Sequence, residues 1–290
     1  MFTDRLDPRL QQAYLDRLGV AAEPPSAAAL QRIVRRHAER VPYETLWIHA
    51  GQAWDIDPHT AARRIAHERR GGYCYHLNGA LGLLLTSLGY ATTAHVGGVH
   101  GPDGANPAVV GNHLALSVTG LPTEDNPTGT WYVDSGLGDA LHDPLPLVAG
   151  AHRQAPFDLT LEESADGTRW HLGHDPAGGF TGMSWTTGAA RVEDFLAQHQ
   201  RLSTSADSGF VQVAVVERRD ATGVDVVRGL VPSRIGEGAR TDAPVTDRGT
   251  WFALLADVFD LPLDDLTPAE RDRLWSTVLA AHRRWEESQA

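Results

Sequence analysis

The chain has one cysteine, Cys74, in a segment whose composition favours a reactive thiol. Gly71 and Gly72 permit a tight turn just before it, and an apolar, leucine-rich run follows, so Cys74 falls in the first turn of a predicted helix. The unpaired N–H groups and the positive end of the dipole at a helix start favour a thiolate. The segment predicts nucleophilic chemistry by sulfur, and a buried structural cysteine is the alternative.

A thiol nucleophile needs a base, and His113 and Asp134 are the candidates for the base and for the carboxylate that orients it. His113 opens the β-prone run 113–118 after a glycine-containing loop, and Asp134 ends the next run, 130–134. Adjacent antiparallel strands can bring the two side chains together, as a Cys-His-Asp arrangement requires. Taken singly, each residue has a simpler interpretation, a structurally hydrogen-bonded histidine and a turn-capping aspartate.

The composition argues against several other classes of function. A net charge of −12 makes nucleic acid an unexpected partner. One cysteine excludes an internal disulfide and a cysteine-rich zinc site, and the spacing of His95 and His100 supplies too few ligands, so no metal is expected. No apolar run approaches the roughly 20 residues that cross a bilayer, and residues 1–18 lack the apolar core of a signal peptide. We therefore expect a cytoplasmic protein with no membrane partner.

The elements that must position these residues divide the chain near residues 90 and 190. Helical spacing predicts helices at 8–18 ending at Gly19, after Ser26, from Asp57-Pro58 to 65, and over 74–88. The predicted strands are 91–99, 113–118, 130–134, 158–163 and 169–173, which suggest a small antiparallel barrel or sandwich. The remainder predicts a helix at 192–202, a hairpin of 210–218 and 224–231, and a last helix behind the capping box Thr267–Glu270.

Several motifs in order along the chain resemble those of the arylamine N-acetyltransferase family. Arg70-Gly71-Gly72-Tyr73-Cys74, followed by Asn78, resembles its active-site signature, and Val41–Leu46 resembles its upstream motif. Gly111–Val118 and Val133–Gly138 are similar to its histidine and aspartate segments. The resemblance extends from about residue 10 to 285, and several motifs in one order are far more specific than any one of them.

The resemblance implies an α+β fold with a helical bundle at 1–90, an antiparallel β-barrel at 91–190 and an α/β lid at 191–290. It also implies a double displacement in which Cys74 takes an acetyl group from coenzyme A and an arylamine, hydrazine or hydroxylamine then attacks the thioester. His113 would be the base and Asp134 would orient it. No permanently bound cofactor is implied, and acetyl-CoA or another acyl-pantetheine thioester would be the cosubstrate.

Further site residues follow from the same resemblance. Arg70, Glu44 and Asn78 match the family's buried polar support for the active-site turn. The expected pocket residues are Tyr43, Gly111, Leu137, Gly138 and His76. The loop 100–112 is a candidate border of the cleft, with a solvated connection as its alternative.

Two residues depart from the family pattern. His76 stands where the family usually has glutamate, which leaves Arg70 without its expected local carboxylate, and Leu137 replaces a bulky aromatic residue, which opens the acceptor pocket. Both departures suit relatives that act as amide synthases, which move a polyketide or peptide chain from a carrier protein onto an amine. A cysteine hydrolase and a binding protein on a retired enzyme fold are the remaining alternatives.

Overall fold

The protein is described here by a computed structural model that covers residues 1–2, 4–101 and 110–289. Its helices are α1 (Pro8–Leu18), α2 (Ala27–Arg40), α3 (Leu46–Ala50), α4 (Pro58–Arg63), α5 (Cys74–Ser87), α6 (Glu193–Thr204), α7 (Gly209–Gln212), α8 (Arg248–Phe259) and α9 (Pro268–Gln289), with a π-helical turn, Arg64–Glu68, after α4. Its strands are β1 (Tyr43–Glu44), β2 (Ala91–His100), β3 (His113–Thr119), β4 (Trp131–Val133), β5 (Leu145–Pro146), β6 (Gly150–Gln154), β7 (Phe157–Glu163), β8 (Arg169–Gly173), β9 (Gly182–Thr186), β10 (Val215–Arg219), β11 (Gly223–Arg228), β12 (Val231–Gly236) and β13 (Arg240–Thr241).

The helix starts follow the capping residues that the sequence supplies. The Ser26 hydroxyl accepts a hydrogen bond from the Ala29 N–H at the start of α2, and Asp57 accepts one from the Thr60 N–H at the start of α4. At α9 the Thr267 N–H donates to the Glu270 carboxylate, whose own N–H donates to the Thr267 hydroxyl, which is a capping box. The predicted starts of these helices are confirmed.

The strands of the described residues form two antiparallel sheets. The larger has the order β5-β4-β3-β2-β9-β8-β7-β6 and nearly closes into a barrel. In it Gly97 pairs with His113 and Leu116 pairs with Val133. Because β3 and β4 are antiparallel, the start of β3 and the end of β4 lie at the same edge of the sheet. The predicted α+β fold is confirmed, and the sequence order of the strands places His113 and Asp134 at one edge.

The smaller sheet joins distant parts of the chain. Its order is β1-β10-β11-β12-β13, so the segment Tyr43–Glu44 pairs with β10, opposite Glu217 and Val216. Leu46 and Ala50 of α3 are likewise buried in the apolar core formed with α8 and α9. The N-terminal segment after α2 therefore completes the C-terminal sheet and its core, and the proposed domain boundaries near 90 and 190 stay a prediction.

One predicted strand is wrong in its first half. The run 210–218 begins with the short helix α7, and only Val215–Arg219 forms a strand, β10. The Ser208 hydroxyl accepts a hydrogen bond from the Phe210 N–H, and the Ser208 carbonyl accepts from Val211 and Gln212, so local capping overrides the β propensity of the run. The hairpin that follows is confirmed, with its turn held by the Asp220 carboxylate.

The described helices include none that is long and apolar enough to cross a membrane. A spanning helix needs about 20 consecutive apolar residues.

Candidate active site

Cys74 lies at the first position of α5 and is buried, with 4% of its surface exposed. Its Sγ lies 3.7 Å from the Asn112 carbonyl oxygen in the segment that leads into β3. The first residues of a helix carry N–H groups without helical acceptors, so positive partial charge collects around this thiol. Gly136 packs against the Cys74 backbone so closely that a Cβ at 136 would lie 2.6 Å from the Cys74 Cα. The loop after β4 can therefore approach the cysteine only with glycine at this position.

His113 connects the cysteine to Asp134. Its Nε2 donates a hydrogen bond of 2.7 Å to Asp134 Oδ2, and both side chains are almost fully buried. Burial alone would lower the pKa of His113, but the charge and hydrogen bond of Asp134 and the side chain of Cys74 together raise that pKa to about 10. The imidazole is thus held as a cation beside the only thiol of the chain. Such a pair can stabilise a thiolate and return a proton to a leaving group.

The Asp134 carboxylate is held by four donors. Its Oδ1 accepts hydrogen bonds from the Asn78 side-chain amide at 2.7 Å and from the Gly136 N–H at 2.8 Å. Its Oδ2 accepts from the Tyr132 hydroxyl and from His113, each at 2.7 Å. Full use of both oxygens fixes the orientation of the carboxylate and so fixes the ring of His113.

Asn78 acts directly on this carboxylate. It lies one helical turn after Cys74 on the same face of α5, and its Nδ2 donates both to Asp134 and to the Leu114 carbonyl oxygen at 2.6 Å. Its Oδ1 accepts from the Ser135 N–H at 2.8 Å. Asn78 therefore ties α5 to β3 and to the loop after β4, the three elements that carry the candidate triad.

Tyr132 was not foreseen from the sequence. Its side chain is fully buried, stacks on Trp185 with ring centroids 4.4 Å apart, and donates to Asp134. Burial, followed by the nearby charge of Asp134, raises the pKa of Tyr132 well above its usual value, so the hydroxyl keeps its proton. The signal was present, because residues 132 and 134 lie two apart in the predicted strand 130–134, and residues so spaced project to the same face.

Arg70 and Glu44 form a separate buried ion pair. Arg70 Nε donates to Glu44 Oε1 at 3.0 Å, with both side chains fully buried, and Glu44 Oε2 accepts from the Leu46 N–H at 2.7 Å. A second carboxylate, Asp265, accepts from Arg70 at 2.6 Å. The sequence predicted that His76 would leave Arg70 short of a carboxylate, and Asp265, which precedes α9, fills that place.

His76 does not line the cavity, which corrects its place among the expected pocket residues. Its Nδ1 accepts a hydrogen bond from the Tyr73 N–H at 3.3 Å, and its Nε2 donates to the Asp55 carbonyl oxygen at 3.1 Å. Its ring packs edge-on against Trp47 and Trp54. Burial, with a smaller effect of nearby cationic groups, lowers the pKa of His76 well below its usual value. A neutral histidine therefore serves as a cap and core residue at the start of α5.

A cavity of about 280 Å³ opens beside the candidate triad. Two expected pocket residues, Tyr43 and Leu137, line it together with Cys74 and His113. Asn112, the last residue of the candidate border loop, also lines it. Other lining residues that the sequence did not single out are Val99, Gly136, Asp139, Gly179, Phe180, Leu202, Phe210, Val215, Glu217 and Arg228. Several come from β10, β11 and the segments before them, so the far end of the chain supplies one wall of the site.

The two expected glycines lie next to the cavity and not in its wall. The carbonyl oxygen of Gly111 accepts a hydrogen bond of 2.6 Å from the Tyr75 hydroxyl, which ties the segment before β3 to α5. Gly138 has a φ of +74° and borders a small void that shares Tyr43 and Glu217 with the cavity. Most of the candidate border loop 100–112 falls at residues 102–109, outside the described residues.

The histidines considered for a metal site have other partners. His95 Nε2 shares a hydrogen bond of 2.8 Å with the Ser117 hydroxyl, and its Nδ1 donates to the Gly188 carbonyl oxygen at 3.1 Å. Across residues 1–2, 4–101 and 110–289, no group of three or more histidine, cysteine, aspartate or glutamate side chains could hold a metal ion.

Comparison with known proteins places this geometry in a family. The sequence profile of a family described as N-acetyltransferase matches residues 26–267. An arylamine N-acetyltransferase of Mycolicibacterium smegmatis is 33% identical over 156 residues, which cover 51% of this chain and 54% of that protein. Arylamine N-acetyltransferase 2 of Mesocricetus auratus is 28% identical over 242 residues, which cover 75% of this chain and 80% of that protein.

Solved structures show the same fold. The arylamine N-acetyltransferase of Nocardia farcinica superposes with a TM-score of 0.78 at 27% identity, over 93% of this chain and 95% of that one. The enzyme of Mycobacterium marinum, solved in complex with CoA, superposes with a TM-score of 0.81 at 24% identity, over 93% and 99% of the two chains. With a family profile that spans most of its length, the chain belongs to the arylamine N-acetyltransferase family of acyl-transferring enzymes.

Proposed function

We propose that this protein transfers an acetyl group from acetyl-CoA to an arylamine nitrogen through a thioester on Cys74. The observation that carries the proposal is the buried His113–Asp134 pair, 2.7 Å from nitrogen to oxygen, which lies next to the only thiol of the chain at the wall of a cavity. In this assignment Cys74 is the nucleophile, His113 moves the proton and Asp134 orients the imidazole.

The first half of the reaction loads the enzyme. The Cys74 thiolate attacks the carbonyl carbon of acetyl-CoA and forms a new carbon–sulfur bond. The bond between the acetyl carbon and the CoA sulfur then breaks, and the departing sulfur takes the proton of the His113 imidazolium. Free coenzyme A leaves as a thiol, and the enzyme holds an acetyl-Cys74 thioester and a neutral His113.

The second half transfers the acetyl group. The nitrogen of the amine attacks the thioester carbon, and the neutral His113 takes a proton from that nitrogen. The bond to Cys74 breaks, which restores the thiolate and the imidazolium and releases the amide. Asp134 takes no part in bond formation; its four hydrogen bonds, including that of 2.7 Å with His113, hold the imidazole in place through both half-reactions.

The donor and the acceptor follow from the family. One structural relative was solved with CoA, and the relatives named above are arylamine N-acetyltransferases. These names support acetyl-CoA as the cosubstrate and an amine as the acceptor. No permanently bound cofactor is indicated. These relatives give no support to a carrier-protein donor, and family membership favours transfer over hydrolysis. A cytoplasmic location stays a prediction.

Intact mass spectrometry tests the proposal directly. After mixing with acetyl-CoA, we expect the protein to gain one acetyl group, and the group should leave when an arylamine is added. Cys74→Ala should prevent the gain, and His113→Gln should slow it while leaving the fold intact. Acetylation at any other residue, or none in the wild-type protein, would refute the covalent mechanism.

A further inference from the structure

Glu217 is a carboxyl group in the wall of the cavity that the proposed reaction leaves without a role. It lies on β10 directly opposite Tyr43 of β1, and both residues line the cavity with Cys74. Val215, two residues earlier on the same face of β10, also lines the cavity. No hydrogen bond or ion pair holds the Glu217 carboxyl among the described residues.

The neighbouring loop leaves room for this carboxyl. Gly138 has a φ of +74°, and a methyl group there would overlap Glu217 Oε2. Glycine at 138 thus lets the loop after β4 pass over the Glu217 carboxyl without displacing it. A polar group given space in this way, with no protein partner, is available to a ligand in the cavity.

The charges around Glu217 favour a cation there. Asp139, the other cavity carboxyl near it, is held by the Gly179 N–H, and Arg228 on β11 is the one guanidinium in the cavity wall formed by described residues. Burial, and after it the charge of Asp139, raise the pKa of Glu217 to about 8, while Arg228 opposes them. A positive ligand would favour the ionised carboxylate of Glu217, whereas an anionic one would favour its protonated form.

Resting on the proposed function, we propose that Glu217 selects acceptor amines that carry a second, positively charged group. The amine nitrogen would face Cys74, and the cation would meet the Glu217 carboxylate. Tyr43, Phe180 and Phe210 supply aromatic walls that suit both the arylamine ring and a cation. Glu217 is in this view a specificity residue and takes no part in bond formation.

Calorimetric binding to the full-length protein tests this without any acyl transfer. The probes are (4-aminobenzyl)trimethylammonium and its uncharged isostere 4-neopentylaniline, compared at about pH 7 and about pH 9. At the higher pH the wild-type protein should bind the cation about tenfold more tightly than the isostere, and this ratio should shrink as the pH falls through about 8, where Glu217 gains a proton.

Variants separate Glu217 from the other charged groups. Glu217→Gln keeps the shape, so the preference for the cation should fall to within about threefold. Glu217→Asp keeps the charge and should retain most of the preference for the cation. The Gln variant still has Tyr43, Cys74, His113, Asp139 and Arg228, so any pH dependence that these groups contribute remains visible in it. Glu163→Gln, which removes the same charge from an exposed position on β7, should match the wild-type protein.

Equal binding of the two probes by the wild-type protein, or a preference that Glu217→Gln leaves intact, would overturn the inference. If the Gln variant does not fold, the wild-type protein alone still provides a test. A ratio of its affinities for the two probes that stays constant with pH would also overturn the inference. Because the assay needs no acetyl donor, its failure would leave the thioester on Cys74 standing, and failure of acetyl loading would leave this binding result standing.

Discussion

Replacing Asp134 by asparagine keeps the shape of the side chain and removes one acceptor and the negative charge. One oxygen accepts from Asn78 and Gly136, and the other accepts from His113 and Tyr132. With the NH2 group in place of Oδ1, the Asn78 amide and the Gly136 N–H both face a donor. With the NH2 group in place of Oδ2, a neutral His113 nitrogen can accept from it, and only the Tyr132 hydroxyl proton loses its acceptor. Each buried group left without its partner costs about 1–3 kcal/mol, so Asp134→Asn should lower the free energy of unfolding by about 1–6 kcal/mol.

The same change should affect the thiol. The pKa of His113 is lowered by burial and raised to about 10 chiefly by Asp134. Without the carboxylate, burial dominates, and the imidazole should be neutral at about pH 7. An ordinary cysteine thiol, with a pKa of about 8.5, is only about 3% ionised at that pH, so loss of the imidazolium should slow alkylation of Cys74 by about thirtyfold.

Iodoacetamide labelling followed by intact mass reports this rate cleanly, because Cys74 is the only cysteine. Asp125→Asn is a matched control, since it removes the same charge from an exposed position in the loop before β4. Urea unfolding measures the stability of each variant. If Asp134→Asn is alkylated within about threefold of the wild-type rate at about pH 7, the argument for an imidazolium held by Asp134 is refuted.

Three other perturbations probe the network around the site. Raising the pH from about 8.5 through about 10 should reduce the free energy of unfolding, because the folded protein still holds the His113 proton there whereas the unfolded chain has lost it, and urea titrations that show a gain over this range would contradict it. Arg70→Met leaves the fully buried Glu44 and the partly buried Asp265 without their cation and should cost about 3–5 kcal/mol in the same titrations, whereas a cost under about 1 kcal/mol would deny the ion pairs any structural role. His76→Glu removes the hydrogen bond to the Asp55 carbonyl oxygen and should lower the midpoint of urea unfolding. The folded variant should still load acetyl on Cys74 at the wild-type rate, and a selective loss of loading would instead make His76 a participant in acetyl transfer.

The features that the sequence predicted well are those decided by near neighbours. The capping residues Ser26, Asp57 and Thr267 each accept a hydrogen bond from a backbone N–H three residues later, so the starts of their helices could be predicted from the sequence. The order of Cys74, His113 and Asp134 could be recognised from the resemblance to a known family. The edge where the antiparallel strands β3 and β4 meet accounts for the proximity of His113 and Asp134. Neither the caps nor the order of the three residues depends on contacts with the far end of the chain.

The features that the sequence missed depend on distant partners. Asp265 lies 195 residues from Arg70, and no local pattern connects them. The cavity wall from β10 and β11, including Glu217, depends on how the smaller sheet docks against the loop after β4. The place of His76 depends on the tryptophans packed around it, so its substitution for glutamate suggested a pocket residue when it is in fact a core residue.

Strand β1 and the side chain of Arg70 both find their partners near the other end of the chain. Thr45, next to β1, bonds to Val215 across 170 residues, and Arg70 reaches Asp265 across 195. A ribosome adds about 5–20 residues per second, so the Asp265 codon is read about 10–40 s after that of Arg70. Until residues 202–228 have been added, the nascent chain has its thiol and its barrel strands but lacks one wall of the cavity. The side of Cys74 that faces the cavity is therefore covered later than the sides that contact Asn112 and Gly136.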